Sequence, residues 1–200
     1  MTTHPFMDLL SAREGHFRYE SGYHSDLWLE LDLLFLRPRK VQPFVSELAE
    51  KFAQHGITAV CGPLIGGALV AEQIAAELDI AFFYTERVVR PQHGGLYPVE
   101  YPLPKSLREA AREQRVAIVD DVISAGSAVR GTLTSLQAQG ADVAVVGALL
   151  VLGDSAAQFF EPRGIPIESI VARPSPLWKP EGCPLCRAGV PLEDVTDSSA

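Results

Sequence analysis

Two adjacent carboxylates, Asp120 and Asp121, stand between an apolar run, Val116-Ala117-Ile118-Val119, and a string of small residues, Ser124-Ala125-Gly126-Ser127-Ala128. Each part has a chemical use. The apolar, mostly β-branched run suits a parallel strand covered on both faces. The acid pair falls where that strand is expected to end, at the edge where open α/β sheets place their ligands. Residues 124–128 carry almost no side-chain bulk, so their backbone N–H groups can close around an anion. A helix starting there adds the positive end of its dipole. Phosphate in the small-residue cup and sugar hydroxyls on the two carboxylates together describe a ribose 5-phosphate. Other phosphate loops do not fit: there is no G-x-x-x-x-G-K-[ST], and Gly126 and Gly131 do not make G-x-G-x-x-G. The plain alternative is a tight βα turn with a solvated acid pair, and the complete order of the parts favours the ligand.

A second loop has the same position in its unit. Gly62-Pro63-Leu64-Ile65-Gly66-Gly67 follows an apolar stretch and opens a helical pattern. Its glycines let the backbone approach a ligand closely. One βα unit before the ribose-phosphate loop, it is a candidate for pyrophosphate, with two helix N-termini holding two anionic groups.

The elements that must position these loops follow from periodicity. A short helix is expected from Phe6 to Glu14, strands at 17–19 and 26–32 with a turn at Ser21-Gly22, and a helix from Pro38 with Val41, Val45, Leu48 and Phe52 on one face. Gly56 can cap that helix. Strands then alternate with helices: strand 57–61, helix 66–78, strand 80–84, strand 116–119, helix 127–139, strand 142–152. This rhythm implies a parallel sheet with helices on both faces. Between Tyr84 and Arg115 the rhythm fails. The segment there holds Arg87, Arg90, Pro91, His93 and the pair Gly94-Gly95. A long loop inside a compact domain is uncommon unless functional, so it reads as a mobile active-site flap, with a surface hairpin as the alternative. From about Pro174 onward the chain is rich in Pro, Gly and acidic residues and reads as an irregular tail, mobile at its end.

With 200 residues and a net charge of −8, the chain suits one globular domain and lacks the basic surface that non-specific nucleic-acid binding needs. No apolar stretch approaches bilayer length and the N-terminus shows no signal-peptide pattern, so no membrane partner is expected. Three cysteines, one far from the other two, are not a disulfide framework, and the cytoplasm is the expected compartment. Cys183 and Cys186 form C-x-x-C, half of a tetrahedral zinc site. Cys61 is not placed to add a third ligand, and His4, His16, His24 and His55 are scattered. Reduced structural cysteines in a tail turn are the alternative to zinc.

The string from Val116 to Ala128 resembles the phosphoribosyl pyrophosphate signature of the type I phosphoribosyltransferases. Over residues 17–152 the chain resembles most closely the orotate phosphoribosyltransferases of that family. The resemblance implies a single α/β domain over residues 1–200. It would comprise a central parallel sheet with helices on both faces, a small N-terminal hood (residues 1–36), a mobile flap (85–106) and the tail (174–200). It implies an Mg²⁺-dependent transfer of ribose 5-phosphate from phosphoribosyl pyrophosphate to a nucleobase in pyrimidine nucleotide synthesis, by a homodimer. Asp120 and Asp121 would hold the ribose hydroxyls and, indirectly, the Mg²⁺. Residues 124–128 would hold the 5-phosphate, and residues 62–67 with Arg90 the pyrophosphate. Arg87 and His93 would act catalytically from the flap, and Trp28 and Leu29 would meet the base. The chain departs from the family where lysines are usual, with Glu20 before the Ser-Gly turn, Gly66 in the pyrophosphate loop, and Val88 and Pro91 in the flap. Leu152-Gly153-Asp154 stands where an arginine usually meets the orotate carboxylate. Two further functions stay open: transfer to a different base, and a catalytically weak regulator that binds phosphoribosyl pyrophosphate.

Overall fold

A computed structural model describes residues 4–89 and 96–195. Five parallel strands form the main sheet: β3 (Ala59–Pro63), β4 (Ala81–Thr85), β7 (Arg115–Ile123), β8 (Asp142–Leu152) and β9 (Ile167–Arg173), in the spatial order β4-β3-β7-β8-β9. After β3 the chain moves outward to β4. It then returns across to β7 on the other side, so the connections after β3 and β7 diverge and leave a crevice at their carboxyl ends.

Each face of the sheet is covered. Helix α1 (Pro38–Ala53) presents Val41, Val45, Leu48 and Phe52, all fully buried, as the 3.6-residue period demands. With α2 (Gly66–Leu78) it packs on one face against Ala117 and Val119. On the other face, Val129, Leu133 and Leu136 of α3 (Ser127–Gln137) pack with Val116 and Ile118. Successive residues of β7 thus enter opposite cores, which is why that strand is apolar without alternation.

A smaller sheet of order β10-β1-β2 stands at the crevice, built from β1 (Ala12–Arg18), β2 (His24–Leu29) and β10 (Glu193–Asp194). Several expectations need correction here. Residues 6–14 are not one helix: a 3₁₀ turn over Pro5–Leu9 gives way to β1. The second strand ends at Leu29, and Leu31–Leu36 is a 3₁₀ helix. The stretch from Pro174 onward is not simply irregular. Trp178 bridges to His24 through two backbone hydrogen bonds of 2.8 and 2.9 Å, α5 (Pro184–Arg187) forms a single turn, and β10 pairs in parallel with β1. Ion pairs of Arg13 with Glu193 (2.8 Å) and of Arg18 with Asp194 reinforce that edge. Between β4 and β7, β5 (Val88–Val89) and β6 (Val99–Glu100) form a two-stranded ribbon, the base of the segment expected to be a flap. Helix α4 (Ser155–Phe160) completes the core beside α3. No helix among the described residues is long and apolar enough to cross a membrane.

Candidate active site

The acid pair does not lie past the end of its strand, as expected, but within it. Strand β7 pairs with β3 only as far as Ile118, opposite Cys61, yet remains paired with β8 through Ile123. Asp120 and Asp121 therefore occupy the stretch where β7 has parted from one neighbour and is still held by the other. The Asp121 N–H donates to Asp120 Oδ1 (3.0 Å), and the Val122 N–H donates to Asp121 Oδ1 (2.7 Å). Among the described residues no cation pairs with either carboxylate. Burial, then the charge of Asp121, pushes the Asp120 carboxyl well above the usual range; burial likewise raises Asp121. Two adjacent acids with no counter-charge suit a ligand that brings hydroxyl donors or a cation.

Residues 124–128 wrap from the end of β7 into α3. Gly126 is the N-cap residue of α3 at φ +76°, a left-handed conformation that glycine adopts without strain. Neither Gly126 nor Ala125 at that helix start offers a capping side chain, so the first N–H groups of α3 are left for a ligand.

The Gly62–Gly67 turn lies behind the acid pair. A Cβ on Gly66 would sit 2.0 Å from Asp121 Oδ2, and one on Gly67 would sit 2.8 Å from Asp120 Oδ1. A Cβ on Gly62 would fall 2.1 Å from the Gly67 carbonyl oxygen. The three glycines are thus required by close packing of the turn on itself and on the carboxylates. Pro63 ends β3, while Leu64 and Ile65 are exposed beside it, Ile65 at 71%.

A cavity of about 350 Å³ joins these parts to the smaller sheet. Asp120 and residues 123–128 form its floor, Trp28 and Leu29 with Tyr19 part of its wall, and Val195 of the C-terminal segment its rim. The Gly62–Gly67 turn is not among its walls. Trp28 is held by donation from its Nε1 to Glu30 Oε1 at 3.0 Å. Glu20 and Arg87 also line the cavity, and they are ion-paired to each other. Tyr101 donates its hydroxyl to Glu20 Oε1 at 2.5 Å. Burial pulls the Arg87 guanidinium down, but the hydrogen bond and charge of Glu20 outweigh it and leave it raised. Burial, then the same carboxylate, pushes the Tyr101 hydroxyl far up.

Arg90 and His93 lie outside the described residues. Sequence reasoning missed Tyr97, which ties the segment leading into β6 to the loop at residues 124–128. Its N–H donates to the Ser21 carbonyl (2.9 Å), its hydroxyl donates to the Ala125 carbonyl (3.3 Å), and its ring lies 4.7 Å from the Arg130 guanidinium. Only its aromatic type beside a glycine pair pointed to it. Cys183 and Cys186 lie away from the cavity lining, where they meet His16 and His24, and Cys61 is buried in the core.

Comparison with known proteins agrees with this geometry. A family model described as a phosphoribosyl transferase domain matches residues 37–170. The orotate phosphoribosyltransferase of Caldanaerobacter subterraneus subsp. tengcongensis is 32% identical over 190 residues, which cover 94% of this chain and 91% of that protein. The orotate phosphoribosyltransferase of Thermotoga maritima is 29% identical over 183 residues, 90% of this chain and 89% of that one. Among solved structures, the orotate phosphoribosyltransferase from Aeropyrum pernix superposes with a TM-score of 0.63 at 23% identity, over 84% of this chain and 93% of that chain. The adenine phosphoribosyl transferase from Trypanosoma brucei gives 0.65 at 17% identity, over 84% and 77%. At these identities the two structures speak to fold alone. The parallel sheet, the two glycine-dependent turns at its switch point and the match over residues 37–170 lead to one conclusion: the chain belongs to the phosphoribosyl transferase domain family.

Proposed function

We propose that this chain transfers ribose 5-phosphate from phosphoribosyl pyrophosphate to a nitrogen of an orotate-like nucleobase. The observation that carries the reading is a cavity that joins Asp120 of the acid pair, the N-terminus of α3 and the aromatic wall of the smaller sheet. In such a transfer positive charge grows on the ribose ring and negative charge on the departing pyrophosphate. Positioning and electrostatics then do more than a nucleophile would.

The N–H groups of residues 124–128 bind the 5-phosphate. Asp120 and Asp121 accept hydrogen bonds from the ribose hydroxyls and favour the cationic ring. Tyr19, Trp28 and Leu29 hold the base and exclude water. Arg87, with Arg90 and His93 of the flap, covers the pyrophosphate. The acid pair also fits an Mg²⁺ ion, since it offers hard oxygen ligands with no cationic partner among the described residues. When bound, that ion supplies charge neutralisation to the leaving group. The reading extends to a cytoplasmic homodimer, supported by the orotate phosphoribosyltransferase resemblance and by a chain with only three cysteines.

One observation favours a different acceptor. Arg87 is the one cation lining the cavity among the described residues, and it is already paired with Glu20. A base presenting N–H donors would suit Glu20 better than a carboxylate would. Pyrophosphate release measured with orotate, uracil, adenine and hypoxanthine tests both readings. Release with orotate alone supports the first, release with another base alone supports the second, and release with none refutes catalysis.

A further inference from the structure

Four side chains from opposite ends of the chain meet beneath the smaller sheet. His16 comes from β1, His24 from β2, Cys183 from the N-cap of α5 and Cys186 from within it. One ligand atom from each lies within 4.8 Å of every other. His16 Nε2 is 3.2 Å from His24 Nδ1, 3.3 Å from Cys183 Sγ and 3.7 Å from Cys186 Sγ; Cys186 Sγ is 3.3 Å from His24 Nδ1.

These separations have a geometric meaning. A tetrahedral zinc ion with bonds of about 2.3 Å to sulfur and about 2.0–2.1 Å to nitrogen sets its ligands apart by about 3.3 Å for N to N and about 3.6 Å for N to S. The observed N–N distance of 3.2 Å and the N–S distances of 3.3–3.7 Å match those edges. Ordinary packing gives no reason for two imidazole nitrogens and two sulfurs to converge on a common centre.

The surroundings complete the arrangement. His16 Nδ1 lies 2.9 Å from the Val190 carbonyl oxygen. A carbonyl only accepts, so the proton sits on Nδ1 and leaves the Nε2 lone pair facing the cluster. His16, His24 and Cys183 are 2%, 4% and 0% exposed, and Cys186 alone reaches the surface. Two sulfurs and two imidazoles in a tetrahedral frame select zinc over hard cations such as magnesium.

We propose that His16, His24, Cys183 and Cys186 form a structural zinc site that fastens the C-terminal segment to the smaller sheet. Binding moves two thiol protons to solvent and leaves two thiolates on Zn²⁺, with no change in oxidation state. The site closes a link between residues more than a hundred and fifty apart in sequence. Beyond it the chain continues to β10 and to Val195 on the cavity rim, so the metal holds part of the wall around the substrate. The inference is independent of which base is transferred.

The test uses the full chain, purified with its thiols reduced. Elemental analysis is expected to find one zinc per chain. Replacement by Co²⁺ is expected to give the visible absorption of a tetrahedral site with thiolate charge-transfer bands, which shows thiolate coordination in the parent chain whether or not a variant folds. Cys186→Ser removes the exposed ligand and is expected to weaken zinc by more than about tenfold. Chelation is expected to lower the Tm of the parent chain and not that of Cys183→Ser/Cys186→Ser. A reduced chain that takes up neither Zn²⁺ nor Co²⁺ overturns the proposal. So does a Cys183–Cys186 disulfide in the freshly isolated chain without metal, or full zinc retention in the double variant.

Discussion

Replacing Gly66 by alanine probes how tightly the second turn is fitted to the acid pair. The added Cβ would lie 2.0 Å from Asp121 Oδ2 and 2.5 Å from Asp121 Cγ. That is about 1 Å inside the closest approach real Cβ atoms make, so something must move. The carboxylate cannot simply swing away: Oδ1 accepts from the Val122 N–H at 2.7 Å, and Asp121 is only 7% exposed. The first turn of α2 has to lift instead. Overpacking of this kind costs about 1–3 kcal/mol. At roughly 2–4 °C per kcal/mol for a domain of this size, the Tm should fall by about 2–12 °C. A displacement of about 1 Å at the carboxylates proposed to hold the ribose should lower turnover by on the order of a hundredfold. Thermal unfolding and pyrophosphate release report the two effects separately. Combining Gly66→Ala with Asp121→Ala removes the atoms that collide, so the stability loss should shrink by a coupling of roughly 0.5–3 kcal/mol while turnover is not restored. An unchanged Tm and turnover in Gly66→Ala would refute the packing of this turn against Asp121.

Two further outcomes follow from charge. Burial raises both carboxyls of the acid pair above the ordinary range, with the charge of Asp121 adding to the rise at Asp120, so the pair's contribution to stability is full below that range. It is lost as pH rises through the raised values. Without ligands, Asp120→Asn should therefore raise the urea midpoint at about pH 8 and leave it nearly unchanged at about pH 4; equal effects at both would be inconsistent with a raised Asp120. Glu20→Gln should remove the cavity-lining carboxylate that disfavours an anionic base and increase kcat/KM for orotate relative to uracil, and an unaltered ratio would show that Glu20 does not face the base.

Much of this arrangement was legible in the residues themselves. The bounds of 66–78 and 142–152 are legible because glycines mark them: Gly66 opens the helix, and Gly140 and Gly153 flank the apolar run of the strand. The acid pair and the small-residue loop were legible because their chemistry lies within one short string. What the sequence hid depends on long-range contact. Strand β9 reads Ile-Glu-Ser-Ile-Val-Ala-Arg, half-exposed at the sheet edge and without clear alternation, so its pairing with β8 decides its conformation. Strand β1 holds Gly15 and a register shift between Glu14 and Phe17, which broke the pattern and let its start pass for helix. The C-x-x-C pair was visible, but its two histidines lie about 160–170 residues away in sequence and join it only through folding of the C-terminal segment onto the smaller sheet. Glu20 and Gly66 stood out as departures from the family pattern. Their meaning came from Arg87 and Asp121, the groups they face.

The claim on which the account turns is that the α3 N-terminus and the two acids jointly hold a phosphorylated ribose. Calorimetric titration of phosphoribosyl pyrophosphate with Mg²⁺ into the parent chain and into Asp120→Asn/Asp121→Asn tests it most directly. Saturable one-to-one binding by the parent chain, weakened at least about a hundredfold in a folded double variant, is the expected result. Equal affinity in both chains would contradict it.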